Sequence, residues 1–180
     1  MLRDEESQAG LPLDAGTLVG ETFMAALRRW FGVLFWFAVL GPAGALLYRL
    51  TLLLACAPGY AEEQSAGQRN LLHAATRILD WLPAHLMALS LALVSNFDAV
   101  FKAWRDWHLA SGRGYFAADL GFLDAIARAS VDADVAAESE DGRPSRDPIV
   151  ALDDAMVLVR RVLVTWVAII AVIVLAGWFA

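Results

Sequence analysis

Few residues in this 180-residue sequence are of the types that carry out chemistry, and their spacing matches no known catalytic set. His73 and His85 lie twelve positions apart with Asp80 between them, and His108 lies near Asp106. The strings HExxH, CxxC, GxSxG and GxxxxGKS/T do not occur, so no metalloprotease, thiol-redox, serine-hydrolase or P-loop site is predicted. We therefore expect no catalytic residue, no metal site and no cofactor.

Four residues are candidates because of where they lie relative to apolar runs. Arg49 interrupts one such run, and Asp80, Trp81 and His85 lie at the start of another. An ionisable group at a membrane boundary is by default a functional hypothesis. The alternative, which we favour, is that Asp80 ends an amphipathic segment and Trp81 anchors its helix at the interface.

The composition indicates a membrane protein. Hydrophobic residues make up 59% of the chain and charged residues 19%, against about a quarter charged in soluble domains. The net charge is -6, and no basic stripe with interleaved aromatic residues occurs, so a nucleic-acid partner is not expected. Cys56 is the single cysteine, which we interpret as a small apolar filler.

The apolar residues are concentrated in three segments, each near the roughly twenty residues that cross a hydrocarbon core. The sequence predicts an all-α integral membrane protein, a helical bundle of about three transmembrane helices with the lipid bilayer as its surroundings. Span two is the weakest, and a half-embedded helix is its alternative. The predicted segments are a polar N-terminus (1–20), an amphipathic lead-in with span one (21–57), a polar connection and helix (58–80), span two (81–101), a cytoplasmic region (102–161) and span three (162–180).

Span one is predicted to cross over the nineteen charge-free residues from Trp30 to Tyr48, with Arg28 and Arg29 at one boundary and Tyr48 and Arg49 at the outward one. It contains the sequence Gly41-Pro42-Ala43-Gly44. A proline inside a helix removes a backbone donor, so we expect a kink at Pro42. Gly41 and Gly44 offer a small-residue surface on which another helix can pack closely. These three residues are therefore candidate structural positions.

The region 102–161 is predicted to contain an amphipathic helix and a linker. The apolar stripe of the helix consists of Phe116, Leu120, Leu123, Ile126 and Ala127. Residues 131–148 are acidic and small, so we expect them to form a mobile linker. Asp147 and Pro148 are predicted to start the last helix as N-cap and first residue.

The basic residues predict the orientation. Arginines or lysines lie before span one, after span two and before span three, whereas the 58–77 connection carries two arginines and two glutamates. The positive-inside rule therefore places the N-terminus and the region 102–161 in the cytoplasm, and the C-terminus on the other side.

Two strings resemble a known family. The first string contains LFW, GP and YR in this order within span one, and the second contains LDW and then AW. Together the two strings cover about residues 21–107. In this order they resemble the AmpE family, bacterial inner-membrane proteins described as regulatory signalling modulators of β-lactamase induction. The resemblance implies an accessory role linked to peptidoglycan recycling. The cytoplasmic amidase AmpD is the partner that it implies, meeting either the amphipathic helix or the acidic linker. The alternative is that this helix lies on the membrane surface or covers the bundle.

AmpE proteins are in turn similar to the CobD/CbiB family, membrane enzymes that join an aminopropanol-type group to cobyric acid. There the first block is followed by an Asn-Thr-Leu-Asp type motif, whereas this chain has the run 50–54, LTLLL. We therefore expect that the chain is not an enzyme, with an adenosylcobinamide-phosphate synthase as the alternative. A transporter subunit is a further alternative, although the spans carry almost no charges. Family members usually have further membrane-embedded sequence upstream, which implies that this chain is a short or truncated form.

Overall fold

The computed structural model describes residues 15–56, 66–112, 114, 118–138 and 148–175, and these contain helices and no strand. The predicted all-α class is confirmed. In chain order the elements are α1 (Ala15–Ala26), a π-helical segment (Leu27–Phe31), α2 (Gly32–Cys56), α3 (Ala66–Val94), α4 (Phe97–Ser111), α5 (Gly121–Glu138) and α6 (Pro148–Leu175).

Three helices are long and apolar enough to cross a membrane, namely Ala15–Ala55, Gly67–Val94 and Ile149–Leu175. Large apolar side chains are exposed on all three, including Leu46, Leu93 and Val172. Such side chains would expose an extensive apolar surface to water, whereas lipid is a suitable surrounding for them. The predicted integral membrane bundle is confirmed.

The first of these three helices does not run straight, because it breaks at Gly41. This residue has φ 69° and ψ -159°, in the positive-φ region that favours glycine. The residue that follows, Pro42, disfavours helical geometry in its predecessor and is well suited to the first position of a new helix. The predicted kink is confirmed, with the break one residue before the proline.

The break turns the chain back on itself. A Cβ atom at Gly32 would overlap the Tyr48 ring and hydroxyl, and one at Gly44 would collide with the carbonyl of Trp36. In one continuous helix, residues 32 and 48 would be about 24 Å apart at 1.5 Å per residue. Residues 15–40 (the first leg) and 42–56 (the return leg) therefore form an antiparallel helical hairpin.

This hairpin differs from the single kinked crossing expected over Trp30–Tyr48. A proline alone bends a helix that otherwise continues, whereas a positive-φ glycine just before the proline changes the chain direction. The two legs can then approach closely because Gly32 and Gly44 carry no side chain where they meet. Tyr48, which was expected at the outward end of span one, thus lies beside Gly32 instead.

Helix α3 runs in the same direction as the first leg. Arg28 contacts Asp80 near the middle of α3, and Phe35 lines a groove together with Leu93 near its end. The start of α3 therefore lies at the same end of the bundle as the start of α1. This disagrees with the predicted topology, in which the 58–77 connection and the N-terminus lie on opposite sides of the membrane.

The amphipathic helix is part of the bundle. Its predicted stripe residues Leu120, Leu123, Ile126 and Ala127 are buried, whereas Phe116 lies outside the described residues. The stripe joins a core whose largest members come from α1, the π-helical segment, α3 and α6, among them Phe23, Phe31, Met87 and Leu158. Within the described chain, the helix thus covers the bundle.

The acidic segment 131–148 differs from the expected linker in its first half. Helix α5 continues to Glu138, because Val131 is buried and Asp134 accepts a hydrogen bond from Arg161 of α6 at 2.8 Å. The acidic side chains therefore face solvent or a basic partner while the valines pack inward. Helix α6 begins at Pro148 as predicted, and Asp147 lies outside the described residues.

We predict that cysteines at Thr17 and Arg69 lie on the same side of the membrane. Both positions are exposed, and the hairpin puts the first turns of α1 and α3 at one end of the bundle. In a Cys56→Ser background, Thr17→Cys and Arg69→Cys should react alike with a membrane-impermeant maleimide in intact cells. Asp98 is exposed and follows the end of α3, at the other end of the bundle. A cysteine there should react with the maleimide only where those at Thr17 and Arg69 do not, and the reverse. Matching labelling of Arg69→Cys and Asp98→Cys, with Thr17→Cys different, would contradict the hairpin.

Candidate functional site

The centre of the candidate site is the carboxylate of Asp80, which is fully buried in the bundle. The Tyr48 hydroxyl donates to its Oδ1 atom at 2.6 Å, and Arg28 Nε donates to its Oδ2 atom at 3.1 Å. A buried carboxylate is costly unless it is paired and hydrogen-bonded, and here both oxygens have a partner. The three residues come from the π-helical segment, the return leg and α3.

Local sequence features bring these three residues together. The π-helical turn ends where the Gly32 N–H bonds the carbonyl of Leu27, and it widens the helix at Arg28. Such single-turn widenings occur frequently at functional sites. Gly32 leaves room for the Tyr48 ring, and the indole N–H of Trp36 donates to the Leu79 carbonyl at 3.2 Å. Both legs of the hairpin are therefore fastened to α3 beside Asp80.

A cavity of about 270 Å³ lies next to this cluster. Arg28 belongs to both, since it contacts Asp80 and also lines the cavity. The charged residues among the described lining are two arginines and two aspartates. We call this cavity the Arg28 pocket. Its lining consists of Met24, Arg28, Arg77, Ala118, Asp119, Leu120, Gly121 and Asp124.

The two aspartates of the Arg28 pocket are held in place by the start of α5. Asp119 Oδ1 accepts from the backbone N–H of Gly121 at 2.9 Å, which is a helix-capping interaction. Asp124 forms an ion pair with Arg128 at 3.0 Å, and the missing side chain of Gly20 allows Asp124 to lie against α1. Asp119 is thus positioned by a backbone N–H, and Asp124 by the side chain of Arg128 and by its contact with α1.

The Arg28 pocket has the groups to bind a ligand that carries both charges. Guanidinium groups recognise carboxylates and phosphates, often through two parallel hydrogen bonds. The carboxylates of Asp119 and Asp124 can accept hydrogen bonds from an ammonium group. Among the described residues there is no group of three or more His, Cys, Asp or Glu that could hold a metal ion.

His85 belongs to a different environment from Asp80. Its Nδ1 atom lies 2.7 Å from the Trp81 carbonyl, and its ring lies 4.3 Å from the Trp81 ring and 4.7 Å from that of Phe122. The Nε2 atom is buried and has no hydrogen-bond partner within the described ranges. His85 therefore packs among aromatic rings of α4 and α5, whereas Asp80 faces the hairpin.

The other candidates from the sequence have separate positions. Arg49 is exposed on the return leg, next to Tyr48. Gly41, Pro42 and Gly44 form the tip of the hairpin and are not part of the Arg28 pocket. Of the seven candidate residues named from the sequence, one, Asp80, is therefore part of the site.

Five site residues were not predicted as such. Arg28 and Tyr48 were interpreted only as basic and aromatic markers of the ends of span one. Arg77, Asp119 and Asp124 belong to segments separated from Arg28 by 49 residues or more. The two adjacent arginines Arg28 and Arg29 beside an apolar run were the one signal in the sequence, but the pairing of Arg28 with Asp80 depends on the hairpin turn.

The chain is similar to curated proteins of cobalamin biosynthesis. It is 30% identical over 157 residues to the cobalamin biosynthesis protein CobD of Stutzerimonas stutzeri, covering 82% of this chain and 50% of that protein. It is 37% identical over 103 residues to CobD of Chromobacterium violaceum, covering 52% of this chain and 31% of that protein. The chain thus spans half the length, or less, of these relatives. No family model and no solved structure matches.

These relatives correct two expectations from the sequence. Neither carries the AmpE name, and both support the CobD/CbiB resemblance instead. The prediction that the chain is not an enzyme is wrong, because the proteins that it resembles are named for a biosynthetic pathway. In the run 50–54, which replaces the Asn-Thr-Leu-Asp type motif, Leu50, Leu53 and Leu54 are exposed on the return leg and Leu52 is buried.

We predict that Asp80→Ala destabilises the bundle strongly. The substitution leaves the buried Tyr48 hydroxyl without an acceptor and Arg28 without its carboxylate. The loss should be about 3 kcal/mol, at the lower end for a broken buried pair because the Arg28 side chain is 40% exposed. Thermal unfolding in detergent measures it. Asp106→Ala, which removes an exposed ion pair, is the control and should cost at most about 1 kcal/mol. Equal effects of the two substitutions would contradict the role of Asp80.

Proposed function

We propose that this chain is a CobD/CbiB-type membrane protein of cobalamin biosynthesis, working as all or part of an adenosylcobinamide-phosphate synthase. The similarity to CobD proteins, which extends over 82% of the chain, is the observation that carries this proposal. In this reaction a nucleoside triphosphate activates a carboxylate of a corrinoid, and the amine of an amino alcohol displaces the activating phosphate group and loses a proton to form the amide. Because the chain spans half of its relative's length, further protein segments can contribute to the same centre.

The Arg28 pocket supports this type of reaction. A condensation of carboxylate and amine needs cationic groups for the anionic oxygens and acceptors for the ammonium hydrogens. Arg28 and Arg77 supply the first, and Asp119 and Asp124 supply the second. In this proposal Asp80 is a positioning residue. It holds Arg28 through the Nε atom and does not itself line the Arg28 pocket.

We also propose that the pocket faces the cytoplasm from the inner membrane. The hairpin brings Arg49 to the level of Arg28 and Arg29, and the groove between α1 and α6 places Arg160 beside Arg29. The start of α3, which carries Arg69, lies at the same end. Such clustering of arginines at one end of the spans is typical of the cytoplasmic side. A nucleotide-dependent condensation also requires access to cytoplasmic substrates.

Deleting the coding sequence from its native bacterium tests the pathway. The proposed function predicts that cobalamin disappears and that the carboxylate precursor, a cobyric acid form, accumulates, as measured by mass spectrometry of corrinoids. β-Lactamase induction and muropeptide levels should stay unchanged. Normal cobalamin with altered β-lactamase induction would contradict the proposal and would support the AmpE resemblance instead.

Restoring the deletion strain with variants tests the pocket. Arg77→Gln keeps the size and polarity of the side chain but removes the charge that we assign to anion binding. Loss of one charge-assisted hydrogen bond, about 1.5–3 kcal/mol, corresponds to a fall in cobalamin formation of roughly tenfold or more. Arg105→Gln, at an exposed arginine of α4 outside the pocket, should restore wild-type levels. Equal restoration by both variants, at equal protein amounts, would show that the pocket is not the site.

A further inference from the structure

A second, larger concavity lies between the first leg and α6, and it is separate from the Arg28 pocket. Its volume is about 700 Å³. We call it the α1–α6 groove. Its lining consists of Thr22, Ala25, Ala26, Arg29, Trp30, Asp153, Met156, Val157, Val159, Arg160 and Leu163.

The groove has a cationic end. Arg29 and Arg160 are both exposed, and neither has an ion-pair or hydrogen-bond partner among the side chains that the structure describes. Among the described residues of the lining, Asp153 is the one acidic residue, so the two arginines give this part of the groove an excess of positive charge. Trp30, whose side chain is 44% exposed, lies beside them as aromatic residues do at the membrane interface.

The remainder of the lining is apolar and continues onto the lipid-facing surface. Met156, one turn before Arg160, is 54% exposed, and Leu163, just beyond Arg160, lies in the part of α6 from Val162 to Leu175 that has no charged residue. Small side chains at Ala25 and Ala26 leave the space on the side of the first leg. Beyond the two arginines, the surface thus continues from Leu163 towards Leu175 as one that only hydrocarbon would cover favourably.

We propose that the α1–α6 groove binds an anionic phospholipid. The phosphate lies against Arg29 and Arg160, and an acyl chain follows Leu163 and the uncharged part of α6 towards the bilayer core. Basic pockets between transmembrane helices bind anionic lipid headgroups in this manner. A free phosphate ion would fill only a small part of 700 Å³ and would leave the apolar lining uncovered. This inference is independent of the proposed function.

Native mass spectrometry of the full chain, purified in detergent, tests the proposal. The probes are phosphatidylglycerol, phosphatidylcholine with the same acyl chains, and inorganic phosphate. Phosphatidylglycerol should bind at least about tenfold more tightly than phosphatidylcholine, because each cationic contact contributes on the order of 1 kcal/mol. Millimolar inorganic phosphate should not displace it. Equal binding of the two lipids, or full displacement by phosphate, would overturn the proposal.

Variants distinguish lipid binding in the α1–α6 groove from attraction of anionic lipid by positive charge elsewhere on the surface. The double substitution Arg29→Gln/Arg160→Gln should weaken phosphatidylglycerol binding by at least about tenfold. The matched control Lys102→Gln/Arg105→Gln removes the same charge from exposed positions of α4 and should leave it unchanged. Ala25→Trp fills the groove and should also abolish binding while both arginines remain. Equal losses in the two double variants, with unaltered unfolding temperatures, would contradict a specific site.

Discussion

The structure depends on one buried carboxylate. Asp80 is inaccessible to solvent, and its two oxygens accept hydrogen bonds from Tyr48 on the return leg and Arg28 on the first leg. An unpaired carboxylate in this position would be strongly unfavourable, so the fold must bring both donors to α3. The hairpin turn at Gly41-Pro42 is what makes this geometry possible, because an uninterrupted helix would separate Arg28 and Tyr48 by about 30 Å.

The same arrangement connects the membrane fold to the proposed chemistry. Arg28 is fixed on one side by Asp80 and contributes to the Arg28 pocket on the other, where Arg77, Asp119 and Asp124 complete a set of opposite charges. A membrane-embedded ion pair thereby positions a group at the edge of the bundle, where polar substrates have access. This division of roles accounts for a buried Asp80 in a helix that is long and apolar enough to cross a membrane.

Hydropathy predicted the helical membrane class, the missing N–H of Pro42 predicted the kink, and helical periodicity predicted the apolar stripe of α5. The sequence did not predict the hairpin, since a charge-free stretch of nineteen residues has the same composition whether it crosses once or turns back. The reversal depends on φ at Gly41 and on close approach at Gly32 and Gly44, which composition does not reveal. The Arg28 pocket was missed for the same reason, because its residues meet only after the chain has turned.

The distance between the two legs of the hairpin tests this account most directly. Spin labels on cysteines at the exposed positions Ala25 and Leu53, in a Cys56→Ser background, report it by double electron–electron resonance in lipid nanodiscs. The antiparallel hairpin predicts a separation below about 25 Å, from packed legs 8–10 Å apart plus the label arms. A distance near 40 Å, as a continuous helix of 28 residues at 1.5 Å each would give, would contradict it.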